Sequence, residues 1–314
     1  MSYHEAMRVV RLLALSLCIT GFTTTAALAG TPPRGTAKQV ATAVANSPKI
    51  VKLTPKLLAA LPAASKDTVS RIYPVSTNPG CDTTRRCVFG STTSKTTVVL
   101  FGDSHASQWL PALAPIALEN HFKLIVIWHA SCHVANVNVQ YEPLGYQDFD
   151  FCNTWLPRQI AAIKKLRPKL VLLGERTAQI GDAKQKPFTS TAWRDGLVST
   201  ITRLKTSTTQ VAILEDLPWS DMNPGPCLSL NVKNVQSCGN SYTKPAFKGQ
   251  QVAERNAARL TRAGFIPTHQ WFCTKKTCSP VVGDYITKWD PGHASATYVQ
   301  YLTAVIATAL KPLL

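Results

Sequence analysis

The chain has 314 residues, and its apolar fraction of 45% is ordinary for a globular protein. That length suits one α/β domain with an extension before it. Lys and Arg exceed Asp and Glu by 34 to 17, a formal charge of +17. Beyond residue 29 no stretch approaches 18 continuous apolar residues, which excludes a helical membrane domain in the expected mature chain.

Residues 1–29 read as a secretory signal peptide. Arg8 and Arg11 supply a positive start, residues 12–22 form an apolar run too short to span a bilayer, and Ala27-Leu28-Ala29 is an A-x-A cleavage site. Cys18 follows the bulky Leu17, which opposes lipidation. Cleavage near Ala29 leaves an extracytoplasmic chain. Residues 30–80 are rich in Ala, Pro, Thr and Lys and are expected to be partly linker and partly packed, with short helices over 37–45 and 54–60. Residues 81–314 form the main domain.

From residue 96 onward, strand and helix patterns alternate. Expected strands are 96–101, 123–128, 169–173, 210–215 and a weaker one at 265–271. Expected helices are 105–119, 156–166, 191–205, 249–263 and 294–310. Short apolar runs bounded by Pro, Gly or charge fit strands buried on both faces. Their alternation with helices predicts right-handed crossovers and a three-layer α/β/α fold around a five-stranded parallel sheet.

Eight cysteines follow Cys18: 81, 87, 132, 152, 227, 238, 273 and 278. Near-neighbour spacing favours Cys81–Cys87, Cys132–Cys152, Cys227–Cys238 and Cys273–Cys278 among 105 possible pairings. No C-x-x-C occurs, and an oxidising compartment favours disulfides over zinc. His129 and His133 sit four apart in a loop with no third ligand evident, a poor metal site.

The stretch Thr97-Val98-Val99-Leu100-Phe101-Gly102-Asp103-Ser104-His105 ends a strand in a turn and starts a helix. That geometry puts the Ser104 hydroxyl at the C-terminal edge of a sheet, beside the free N–H groups of a helix start. Near the far end, Trp289-Asp290-Pro291-Gly292-His293 puts Asp290 and His293 three apart on a Pro-Gly bend. Ser104 as nucleophile, His293 as base and Asp290 as its orienting carboxylate follow from these residue types. Asp103-Ser104 alone reads first as a helix cap, and Asp290 with His293 alone is weak evidence, whereas the two together are fairly specific. Asp103 fits a brace for the turn, and His105 fits a substrate contact or a surface-facing helix start.

These two blocks resemble the SGNH (GDSL-type) hydrolase family. The similarity is closest to the extracytoplasmic SGNH domain that follows acyltransferase family 3 membrane domains in bacterial O-acetylating proteins, here without the membrane domain. It spans most of residues 50–314, with Ala294 where that group usually has Leu. The resemblance implies a flavodoxin-like strand order, a site at the strand C-termini, a Ser104–His293–Asp290 triad, and no cofactor or metal. Family members often add an oxyanion Asn after the third strand, where this chain reads Gly174-Glu175-Arg176-Thr177. The Ser104 N–H, with the Ser131 N–H or the Arg176 side chain, is left to fill that role.

The expected function is an exported serine esterase or O-acyltransferase acting on acyl esters, O-acetyl groups foremost, of a cell-envelope polysaccharide or peptidoglycan. Partners are an acyl-ester substrate or glycan acceptor, an anionic envelope polymer attracted by the dispersed positive charge, and a membrane acyltransferase as acyl donor. Nucleic acid does not fit an exported protein. Alternatives are a lipase or general carboxylesterase, and a non-catalytic envelope-binding module. Most of the seven tryptophans fit the core, while Trp219 and Trp289, near strand ends, suit stacking on a sugar ring.

Overall fold

The computed structural model describes residues 33–74, 80–81, 87–140, 149–177, 184, 186–242 and 245–314. The signal-peptide segment lies outside them, as does the Cys81 side chain, so the expected Cys81–Cys87 bridge is not described.

Five parallel strands form the body of a seven-stranded sheet: β3 (Thr97–Gly102), β4 (Lys123–His129), β5 (Leu170–Gly174), β6 (Gln210–Leu214) and β7 (Gly264–Ile266). Their order across the sheet is β4-β3-β5-β6-β7. This is the flavodoxin-like arrangement, with its switch point between β3 and β5. The fifth strand is shorter than expected, because residues 269–271 turn into a 3-10 helix. Two antiparallel strands that the sequence reading lacked, β1 (Gly80–Cys81) and β2 (Cys87–Gly90), pair with the free side of β4.

Side chains alternate between the faces, as a strand's period of two requires. Val98 and Leu100 of β3 join one core with α1 (Ala37–Asn46), α5 (Leu110–Glu119), α10 (Ala296–Tyr301) and α11 (Thr303–Leu310). Val99 and Phe101 join the other with α6 (Phe149–Leu166), α7 (Ser190–Leu204) and α9 (Pro245–Thr261). The three-layer α/β/α fold is therefore present.

Two expected helices are broken. The first divides into α4 (Ser104–Ser107) and α5, because Pro111 has no N–H to continue the ladder from α4. The last divides at Leu302 into α10 and α11, and α10 starts after a Ser295 cap.

Before the sheet, α1 buries Val40 and Val44 in the main core, and Gly35 N–H donates to Tyr301 O at 2.8 Å. Around α2 (Pro55–Ala60), ahead of α3 (Val69–Ile72), the chain builds a smaller core. There Leu53, Leu57 and Ala64 pack on Cys227 and Leu228 of α8 (Pro224–Leu230) and on Val235 and Cys238. Disulfides join Cys132 to Cys152, Cys227 to Cys238, and Cys273 to Cys278.

Candidate active site

Gly102 and Gly174 end β3 and β5 side by side. A Cβ on Gly102 would lie 1.6 Å from the Gly174 carbonyl oxygen, and one on Gly174 would lie 2.9 Å from Ala106 Cα. Only two glycines let α4 settle onto both strand ends. Asp103 is fully buried and caps α4 through its side chain, accepting from His105 N–H at 2.7 Å. Its second oxygen accepts from Arg176 N–H at 2.9 Å and lies 3.7 Å from His133 Nδ1. Burial pushes this carboxyl up, but His133, His105 and the Arg176 N–H hold it below its ordinary value. Asp103 thereby ties the Ser104 turn to the end of β5. Ser104 starts α4 half-buried, with its N–H in the first turn, where the helix itself supplies no acceptor.

Across the sheet edge, the bend at residues 290–293 is locked from several sides. Asp290 Oδ1 accepts from the N–H groups of Gly292 (2.8 Å) and His293 (2.6 Å). Gly292 packs on Trp219, where an added Cβ would come within 2.5 Å of the indole. Ser220 N–H donates to Pro291 O at 2.8 Å. The buried Lys288 ammonium donates to Pro218 O and, at 3.3 Å, to Pro291 O. Gln108 joins the two motifs: its Oε1 accepts from Ala294 N–H at 2.7 Å and its Nε2 donates to His105 O at 2.9 Å.

These contacts bring three side chains from the two motifs into line. Ser104 Oγ lies 2.8 Å from His293 Nε2, and His293 Nδ1 lies 2.8 Å from Asp290 Oδ2. Burial pushes Asp290 up, but the His293 ring and the two backbone donors outweigh it and hold the carboxyl below its ordinary value. An ionised carboxylate only accepts, so Nδ1 carries the proton and Nε2 is the acceptor for the serine O–H. A hydroxyl so placed can lose its proton as it attacks an electrophile.

His105 is not on the surface. It is 1% exposed, with Nδ1 2.6 Å from Asp216 Oδ1. Its ring packs on His293, centroids 4.5 Å apart, and lies parallel to Trp219. Asp216 also accepts from Thr177 N–H and Oγ1–H and from Leu217 N–H, and its own N–H donates to Glu254. Sequence reasoning missed Gln108, Asp216, Glu254 and Lys288. Asp216 directly follows the expected strand 210–215, at the edge where residues from neighbouring strands converge, and that was the one available signal.

A cavity of about 480 Å³ opens at Ser104, with Ser131, Arg176, Trp219 and Trp289 in its lining. Ser131 sits at φ +60°, in the left-handed region, which turns the loop after β4 toward the cavity. The Arg176 guanidinium stacks over the Trp219 ring at 4.9 Å. Glu175, behind it, accepts from Val134 and Ala135 N–H and from Trp193 Nε1–H. Burial and the nearby Asp103 push its carboxyl up to about 8 despite these donors. Trp128, expected in the core, also reaches the cavity. His129 Nδ1 lies 3.1 Å from Ala130 O.

Comparison with known proteins identifies the family of the chain. A family model for an SGNH domain (fused to AT3 domains) matches residues 74–308, which include every residue of the Ser104, His293 and Asp290 alignment. Among solved structures, the chain is similar to the periplasmic domain of the lipopolysaccharide acetyltransferase of Salmonella ser. Paratyphi A. Identity is 17%, the TM-score is 0.56, and 71% of this chain and 86% of that one are covered. A carbohydrate acetylesterase from Sinorhizobium meliloti matches at 17% identity and TM-score 0.45, over 70% of this chain and all of that one. The inhibitor-bound aryl esterase of M. smegmatis matches at 15% identity and TM-score 0.46, with 70% and 100% covered. No curated protein matches the chain.

Proposed function

The chain belongs to the family of SGNH domains fused to AT3 domains, and from that premise we propose that it is an extracytoplasmic serine esterase or O-acyltransferase. Its substrates would be acyl esters, O-acetyl groups above all, on a cell-envelope polysaccharide or peptidoglycan. The family supports hydrolase or acyl-transfer chemistry. The observation that carries the reading is the 2.8 Å contact between Ser104 Oγ and His293 Nε2.

In this mechanism Ser104 Oγ attacks the ester carbonyl carbon and its proton passes to His293 Nε2. Asp290 stabilises the imidazolium that results. The tetrahedral intermediate collapses, the C–O bond to the alcohol breaks, and the alcohol leaves with the proton from His293. Water or a sugar hydroxyl then attacks the acyl-Ser104 ester. His293 takes the acceptor's proton, the bond between the acyl carbon and Ser104 Oγ breaks, and Oγ regains the proton from His293 as the carboxylic acid or the new ester leaves, so the enzyme is restored.

The negative oxygen of each intermediate would face the Ser104 N–H, with Ser131 N–H or the Arg176 guanidinium as the second donor. Loss of one such donor typically costs roughly 10²–10³ in rate. The absence of the family's usual Asn therefore fits slow turnover, or transfer favoured over hydrolysis.

Among the described residues, no helix is long and apolar enough to cross a membrane. The family's fusion partner suggests that a separate membrane acyltransferase supplies the acyl group. The excess of Lys and Arg suits retention by an anionic envelope polymer, which raised salt would weaken.

The test compares wild type with Ser104→Ala on p-nitrophenyl acetate and on purified cell-wall polysaccharide. Wild type should release p-nitrophenol and acetate, and the variant should release neither above background. Release of p-nitrophenol without acetate from the polysaccharide would favour a small-ester carboxylesterase. Equal rates for both proteins would refute the serine mechanism.

A further inference from the structure

The cavity at Ser104 has room for more than an acyl group. Its volume of about 480 Å³ lies in the range of roughly 300–1,000 Å³ that encloses drug-sized ligands. The alcohol half of the ester must occupy the remainder. Part of that space is lined by Thr68, Val69 and Ser70, contributed by α3, which precedes the whole sheet.

This segment is fixed in place. Asp67 O accepts from Ala296 N–H at 2.8 Å, and its carboxylate accepts from Thr297 N–H at 3.2 and 3.3 Å. Arg71 closes the joint by donating to Asp67 Oδ1 at 2.7 and 3.1 Å and to Thr297 Oγ1 at 3.0 Å. Both acceptor groups of Asp67 thus hold the first turn of α10, the helix that begins three residues after His293. The catalytic bend and the α3 segment share one anchor, so their separation is set by the fold.

The chemistry of the lining is of two kinds. Trp219 and Trp289 are half-buried and offer flat apolar surface. Thr68 Oγ1 and Ser70 Oγ are 2.8 Å apart, a hydroxyl pair that keeps further acceptor capacity and one O–H beyond their mutual bond. An alcohol with an apolar ring face and hydroxyl or ester groups on its rim matches both.

We propose that Thr68, Val69 and Ser70 form the wall that receives the alcohol half of the ester, selecting acylated sugar rings over small unbranched or aryl esters. This rests on Ser104 being the nucleophile, as proposed above. Val69 sets the width of the slot, and the two hydroxyls bond the rim of the ring.

Two arms test it. In the Ser104→Ala protein, binding of a peracetylated methyl glucoside is measured by titration calorimetry. Val69→Phe and the Thr68→Ala/Ser70→Ala double change, each added to that background, should weaken binding by about tenfold and about threefold or more. In the Ser104-intact enzyme, kcat/KM for the sugar acetate divided by that for p-nitrophenyl acetate should fall about tenfold in Val69→Phe, mostly through KM. The double change removes the two hydroxyls and one Thr68 methyl, inserts nothing into the slot, and carries the test if Val69→Phe does not fold. No binding to the Ser104→Ala parent, binding unaltered by either change, or a constant ratio of the two esters overturns the proposal. If instead Ser104→Ala retains full activity, the serine mechanism fails while the calorimetric arm still decides the wall.

Discussion

The ring of His105 packs against that of His293, centroids 4.5 Å apart and planes tilted by 55°. His105 is itself held by Asp216 at 2.6 Å. A second His–Asp pair therefore backs the first, and it fixes the plane in which His293 faces Ser104. His105→Ala and Asp216→Asn should each lower kcat by about 10- to 100-fold with little change in KM, since a small misplacement of the base is costly. Steady-state kinetics on p-nitrophenyl acetate checks this, and a rise in KM at constant kcat would speak against a positioning role.

The same pair has a signature in stability. Burial pushes His105 down, but the charge and hydrogen bond of Asp216, aided by Asp103 and opposed by Arg176, raise it above its ordinary value of 6.5. A raised folded pKa means that the pair's contribution is complete below 6.5 and is lost as pH rises through the folded value. Glu175, raised from 4.5 to about 8, acts in the same direction between those two values. Glu175→Gln should therefore flatten the decline of Tm with pH between 4.5 and about 8. It should also lower Tm overall, because an amide nitrogen replaces an oxygen that accepts from buried donors. A slope unchanged from wild type would count against a protonated Glu175.

Lys288 makes the opposite prediction. Burial pushes its ammonium from 10.5 down to about 8, against the attraction of Asp216 and Asp290. The unfolded chain binds more protons between those values, so this group's contribution to stability rises with pH from about 8 to 10.5. Activity should fall as pH rises through about 8, because the folded enzyme's ammonium, bonded to Pro218 O and Pro291 O, then loses its charge. In Lys288→Met the alkaline limb of kcat near this value should vanish, and kcat at neutral pH should drop about tenfold. Retention of the limb in that variant would show that another group controls it.

Gly292→Ala should displace the bend that carries His293, since the added Cβ would stand 2.5 Å from Trp219. Overpacking of this kind typically costs about 1–3 kcal/mol. A fall in Tm together with a loss of kcat is expected from thermal melting and kinetics. A fully active Ala variant would mean that Trp219 yields more readily than the bend.

The sheet was legible in the sequence because β3 to β6 each hold a run of at least four consecutive buried residues, nearly all apolar, whereas β7, three residues long and partly exposed, left the limits of the fifth strand open. The approach of Ser104 to His293 was foreshadowed by two short motifs placed at strand and helix ends. What supports them was not legible. His105 and Asp216 lie 111 positions apart, and no local pattern marks a pair formed by the sheet's closure. Lys288 carries no local mark of burial, because the Pro218 carbonyl that accepts from its ammonium lies 70 positions away. The break before α5 was legible in principle: Pro111 denies the ladder its donor, whereas the apolar run through Leu113 suggested one continuous helix. The docking of Asp67 on Thr297 joins residues 230 positions apart and follows from the packing of α10 alone.

The nucleophile claim is tested most directly by treating the intact protein with a fluorophosphonate and locating the adduct by peptide mass mapping. The account predicts one modification, on Ser104, at a rate that drops about 10³-fold or more in His293→Ala. A different modified residue, or a Ser104 that reacts as fast without His293, would contradict it.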